Sequence, residues 1–170
     1  MSVSYVPIPK KLLEEALRKG IDIEEVVLKS IAEAAGLDPS EVAIARIEIA
    51  ERALNEAKEY LDKGDAVQAS EKLYKAVEEC IKALAEKLKV PQLEEVKKRG
   101  KWDTWLLGKA SREIAERLGD DRVRLAWKDA YDIHVWGFHE AKYGVEDVKA
   151  ALPLAQWLLN CAKKVLGVEK

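Results

Sequence analysis

The stretch from Gly64 and Asp65 to Leu88 constrains the fold of this chain more than any other, because it sets a helix junction and a buried stripe side by side. Gly64 suits the residue that ends one helix in the left-handed region. Asp65 offers a side-chain oxygen to the free amides of the next first turn, and Gln68, three residues on, is placed to reach back. Apolar residues then recur at Ala69, Leu73, Ala76, Cys80, Leu84 and Leu88, the spacing of one helical face. Two antiparallel helices follow.

The first of that pair opens at Asp38-Pro39-Ser40-Glu41, which supplies a cap, a proline at the first helical position and a glutamate at the third. It runs to about Lys63. Along it Ala43, Ile47, Ala50, Leu54, Ala57 and Leu61 alternate spacings of four and three, a seam suited to shallow antiparallel packing. Two shorter helices precede it. One starts at Pro9, carries Leu12, Leu13, Ala16 and Leu17, and stops at Gly20; the other starts at an Asp22–Glu25 capping pair, carries Val26, Val27, Ile31 and Ala34, and stops at Gly36. These two form an arm, residues 1–37, ahead of a bundle at 38–170.

Downstream, Pro91 to Lys101 breaks the periodicity and reads as an exposed, basic connection. Asp103 caps a fifth helix with Leu106, Ala110, Ile114 and Leu118 on its apolar side, and Gly119-Asp120 repeats the earlier junction. The sixth helix reaches about Tyr143, with the aromatic stripe Trp127, Tyr131, His134, Phe138 and Ala141. A last helix begins near Glu146 and runs through Leu152, Ala155, Leu158 or Leu159, Ala162 and Val165 to Leu166; Pro153 predicts a kink or a boundary within it. No strand-like alternation of useful length occurs. The fold class is all-α, an up-down antiparallel helical bundle.

Composition narrows the function classes. The formal charge of -2 gives no global pull toward nucleic acid, so any RNA contact must be local. No apolar run is long enough to span a bilayer, and the first residues lack a basic start and a hydrophobic signal core, which places the protein in the cytoplasm. Charged residues make up 35% of the chain while Asn and Gln are scarce, a usage that leans thermophilic. Glutamates sit four residues before cations at Glu14 and Arg18, Glu25 and Lys29, Glu71 and Lys75, Glu78 and Lys82, and Glu113 and Arg117, which reads as a solvated face. Cys80 and Cys161 fall on apolar stripes, where a thiol behaves as a small buried hydrophobe.

Lys63-Gly64-Asp65, the run Gln68 to Ala76, Ile81-Lys82-Ala83-Leu84-Ala85, Trp102, and His134-Val135-Trp136-Gly137-Phe138-His139-Glu140 together resemble the archaeal PaREP-type family, over roughly Leu37 to Val165. That family in turn resembles the HEPN superfamily at the level of fold. The resemblance implies a helical bundle that homodimerises, and either a ribonuclease of a toxin-antitoxin or defence system or an inactive partner of a nucleotidyltransferase. HEPN nucleases carry an Arg followed after four to six residues by a His. Neither histidine here has that Arg: the windows hold Trp127, Lys128 and Asp129 before His134, and Asp132, Ile133 and His134 before His139. Lysine, a point charge, does not reproduce a bidentate guanidinium clamp on phosphate.

The expected function is therefore a non-enzymatic dimeric interaction module in a stress, defence or toxin-antitoxin system. The alternatives are a diverged metal-independent ribonuclease using Lys128, His134 and His139, with Asp132 a partner for His139, or a small-ligand or nucleotide-binding bundle. The polar residues placed for a binding role are Lys72, Tyr74, Trp136, His139 and Glu140. On an ideal helix His134 and His139 stand about 140° apart, so no metal site is assigned, nor any cofactor. Gly137 inside a helix predicts close approach of another backbone at a helix crossing or dimer contact.

Overall fold

A computed structural model describes residues 4–168, and among them there are eight α-helices, one π-helical turn and no strands. The helices are α1 (Lys10–Arg18), α2 (Ile23–Ala35), α3 (Pro39–Asp62), α4 (Ala66–Leu88), α5 (Gln92–Arg99), α6 (Thr104–Leu118), α7 (Arg122–Ile133) and α8 (Val145–Leu166), with the π segment His134–His139 continuing α7. The capping box that opens α3 is complete: Glu41 N–H donates to Asp38 Oδ1 at 3.0 Å and Asp38 N–H to Glu41 Oε2 at 2.9 Å. At the α3–α4 junction only half the expected box forms. Asp65 Oδ1 accepts from Gln68 N–H at 3.0 Å, but the Asp65 N–H donates backwards to Tyr60 O, so it has no need of the Gln68 side chain.

The α3 seam is buried throughout, and α4 is the central rod of the bundle, packed against α3, α8, α7, α6 and the π segment. Burial of Leu54, Leu73, Ile81, Leu84, Leu107, Ile114 and Leu158, all nearly sealed from solvent, holds these rods together. Each such side chain contributes on the order of 1.5–3 kcal/mol. The chain is an all-α helical bundle, as the periodicity predicts.

Four expectations need correction. The stretch after Pro91 is a short helix, α5, not an open connection: Glu94 and Glu95 lie in its first turn and Lys97, Lys98 and Arg99 in its last, which suits the helix dipole, and Val96 is buried. Helix α7 stops ten residues short of Tyr143. Its final turn widens into the π segment, and the chain then turns at Ala141 with a positive φ of 49°, Trp136 O accepting from both Lys142 and Tyr143 N–H. Pro153 does not bound α8, which continues through it with the ring on an exposed side.

The fourth correction concerns charge. Arg46, on α3, is 2% exposed; its guanidinium meets Glu79 Oε2 at 3.0 Å, Glu86 Oε1 at 2.9 Å and both Glu25 oxygens at 2.8 and 2.9 Å. Lys82, also buried, pairs with Glu78 and Glu79. This is an internal ion cluster, not a solvated face. Some expected pairs form (Lys29 with Glu25, Arg117 with Glu113), whereas Arg18 takes Glu15 and Lys75 takes Glu79. Burial alone would raise the Glu25 carboxyl, but the hydrogen bonds and charge of Arg46, helped by Lys82 and Lys29, outweigh it and hold the group at about 2.

No residue of α1 or α2 is fully buried, although Leu13, Ala16, Ile23, Leu28 and Ala32 are half-buried. Polar links tie α2 to the rest: Glu25 to Arg46, Glu24 to Arg52 at 2.6 Å, and Lys29 Nζ to Gly100 O at 3.2 Å. Cys80 and Cys161 are both free thiols; Cys80 is buried, which pushes its pKa up, and Cys161 is partly exposed.

Candidate functional site

The π segment exists where α7 runs into α4. A Cβ on Gly137 would stand 2.1 Å from Ser70 Oγ and 2.8 Å from Ser70 Cβ, so only glycine lets the two rods touch here. The expected close approach is thus a helix crossing within the chain. Ser70 Oγ is turned back to donate to Ala66 O at 2.7 Å, four residues earlier, which makes it part of the crossing and not a nucleophile.

The widened turn also resolves the histidines differently from the sequence. In a π-helix the backbone bonds run from i to i+5, so residues five apart come onto one side, and His134 Nε2 lies 2.9 Å from His139 Nε2. An ideal α-helix would hold them apart. The His134 ring stacks on Tyr74 with centroids 3.9 Å apart and meets His139 edge-on at 4.4 Å. Burial, with the His139 charge adding to it, brings His134 down to about 4, so near neutral pH its ring is uncharged. One Nε2 then donates and the other accepts. The remaining ring nitrogen, His134 Nδ1, is buried without a partner. Such a pair can hold or pass one proton, yet among the described residues no group of three or more His, Cys, Asp or Glu side chains is arranged to hold a metal.

Of the residues the sequence placed in a binding role, Tyr74 and His139 meet, both through His134. Lys72 turns to α3 and pairs with Glu56 Oε2 at 2.8 Å, Glu140 is exposed beyond the π segment, and Trp136 lies on another side of the rod. Asp132 does not serve His139, because it accepts from Tyr143 Oη at 2.7 Å. Lys128 is exposed and lines, with Trp136, an open groove of about 980 Å³ between α6 and α7 that neither histidine lines. Sequence reading missed this groove. Its signal was present as two helical faces, Trp105, Lys109 and Arg112 on α6 and Arg124, Lys128 and Tyr131 on α7 with Val135 just beyond it, each repeating at spacings of four and three.

A bundle of this form, with its central rod crossed at a glycine by a π turn, places the chain among small all-helical proteins. Residues 45–159 match the archaeal PaREP1/PaREP8 family, and the chain belongs to it. It is similar to a protein from Sulfolobus solfataricus of known crystal structure, at 37% identity and a TM-score of 0.64, over 69% of this chain and 96% of that one. A solution structure of the same structural-genomics target, Orf c02003 protein, gives 38% identity and a TM-score of 0.63, over 69% and 91%. No curated protein matches the chain significantly.

Proposed function

We propose that this protein is a non-enzymatic interaction module that pairs with a second copy through an N-terminal arm, residues 1–37, set ahead of the bundle at 38–170. One observation carries the reading: no residue of α1 or α2 is fully buried, while Tyr5 is 92% exposed, Leu12 63%, Leu17 60% and Ile31 55%. Isolated apolar side chains on a surface are ordinary, but a run of them along two successive helices marks an interaction face. The family match starts at residue 45, after both helices, which supports treating them as an addition to a self-sufficient bundle.

A HEPN-like role as the inactive partner of a nucleotidyltransferase in a cytoplasmic archaeal defence or toxin-antitoxin system fits this reading. No helix among the described residues is long and apolar enough to cross a membrane. The ribonuclease reading fares worse, since Lys128 faces the groove instead of joining the histidine pair.

Sedimentation equilibrium at micromolar concentration tests the proposal. The expected particle has twice the 19.1 kDa mass of the chain, and Leu12→Ser, Leu17→Ser and Ile31→Ser together convert it to a monomer with an unchanged helical spectrum. A monomeric wild-type protein overturns the proposal. Incubation with total RNA should leave the RNA intact.

A further inference from the structure

We propose that the groove between α6 and α7 binds a nucleoside phosphate, its base stacked on the tryptophans and its phosphate held by the lysines and arginines of the rim. This goes beyond the pairing reading and does not depend on it. Trp105 and Trp136 stand on the groove 48% and 45% exposed, and Tyr131 beside them is 42% exposed. Flat aromatic faces left open to water in a charge-rich chain are costly unless something flat covers them, and base stacking is sequence-tolerant because every base offers a π-face.

The rim supplies the second half of the chemistry. Lys109, Arg112, Arg124 and Lys128 all line the groove. Arg124 is paired, with Asp121 at 2.6 Å, whereas Lys109, Arg112 and Lys128 make no ion pair with a described carboxylate. Every other arginine among the described residues is paired with an acid, so Arg112 stands apart, whereas exposed lysines such as Lys97 and Lys98 are unpaired outside the groove too. Lys109 instead lies over the Trp105 ring at 5.5 Å, with Arg99 at 5.7 Å, so cation and aromatic are already adjacent. The one carboxylate on the lining, Asp132, is engaged by Tyr143. Unpaired positive charge beside open rings complements an anion that carries a ring.

The lining has a third feature, independent of the rim. Trp127 is 6% exposed and lines the groove, and its indole N–H, which makes no hydrogen bond to a described residue, is not among the buried unpaired polar atoms and so stays open to solvent. A Cβ on Gly108 would come within 3.3 Å of that nitrogen, so the glycine keeps the approach clear. The free donor suits a base or sugar oxygen or a ring nitrogen of the ligand. The volume, about 980 Å³, accommodates a mononucleotide with room for chain on either side, so the same chemistry serves a free nucleotide or one unit of a single strand.

Titration of the full-length protein, followed by tryptophan fluorescence and by calorimetry, separates these sources. The probes are AMP, ATP, a 5′-phosphorylated hexa-adenylate ribonucleotide, adenosine and pyrophosphate. Saturable binding of ATP or the oligonucleotide, weakening as salt rises, is expected, with the tighter of the two identifying the source. Lys109→Glu, Arg112→Glu and Lys128→Glu should each weaken it about tenfold or more, and Trp105→Ala or Trp136→Ala at least about fivefold. These positions are exposed, so helical content and melting should not change, and Lys97→Glu on α5 is the charge-matched control outside the groove. The proposal is overturned if no probe binds up to millimolar concentration, if pyrophosphate binds as well as ATP, or if the groove variants and the α5 control behave alike.

Discussion

Helices α2 and α4 both carry an apolar stripe, yet α4 buries 13 of its 23 residues and α2 none of its 13. What separates them is the company they keep. Helix α4 is packed against six other elements, so even Glu79 and Lys82 are drawn inside, whereas α2 meets the bundle along one side only, where Ile23, Glu25, Leu28 and Ala32 are half-buried. The anchor of α2 is Glu25 on Arg46, a residue whose other partners, Glu79 and Glu86, are on α4. Interior charge thus adds to the half-buried apolar contacts in holding the peripheral helix, and the outward apolar residues Val26, Val27 and Ile31 are left exposed.

The sharpest way to break that comparison is to remove its shared residue. Arg46→Ala strands Glu79 inside the bundle and unties α2, and urea denaturation should show a loss of about 3–5 kcal/mol. A near-neutral result would mean that the cluster is hydrated. Glu25→Gln, by contrast, should loosen α2 in hydrogen exchange while the bundle's transition barely moves.

Next in size is the crossing between α4 and the π segment. Gly137→Ala drives a methyl into Ser70 and should cost about 1–3 kcal/mol by thermal or chemical denaturation, the range for overpacking. The penalty should shrink in a Ser70→Ala background, because the two positions are in contact. Equal penalties in both backgrounds would count against the close approach.

Acid should act on the two regions in separate windows. His134 titrates near 6.5 when unfolded and at about 4 in the fold, so the unfolded chain binds the extra proton between those values and stability falls as pH drops through that range. Glu25 is ordinarily at 4.5 and is held at about 2 in the fold; its contribution is complete above 4.5 and is lost as pH falls toward 2. Hydrogen exchange during an acid titration should therefore loosen the π segment first and α2 second. The reverse order would contradict the assignments.

The smallest effect belongs to the outward side of the arm. Leu12→Ser and Ile31→Ser should each shift unfolding of the single chain by no more than about 0.5 kcal/mol, as surface changes do, despite replacing large apolar groups. A loss of several kcal/mol would reveal burial within the monomer.

Much of the architecture could be read from spacing and caps. The α3 seam from Ala43 to Leu61 and the α4 stripe from Ala69 to Leu84 are buried as their periodicity requires, and Asp38 and Asp65 cap where they should. Helix α5 escaped because two apolar residues, Leu93 and Val96, are too few to show a period, although its acidic start and basic end were visible. The histidine pair escaped for a different reason. Its angle was taken from an ideal α-helix, and the π turn that brings the rings together follows from Gly137 meeting Ser70, sixty-seven positions away in sequence. Arg46 carried no sequence signal of its own, because its partners Glu25, Glu79 and Glu86 come from positions 21 to 40 residues away.

The antiparallel pairing of α3 with α4 across the three residues Lys63, Gly64 and Asp65 has a kinetic consequence. Its many contacts link stretches close in sequence, so little chain must be closed into a loop before they reward the search. This hairpin is the natural nucleus, and α8, recruited from the far end of the chain to cover it, should lock in late on the folding route.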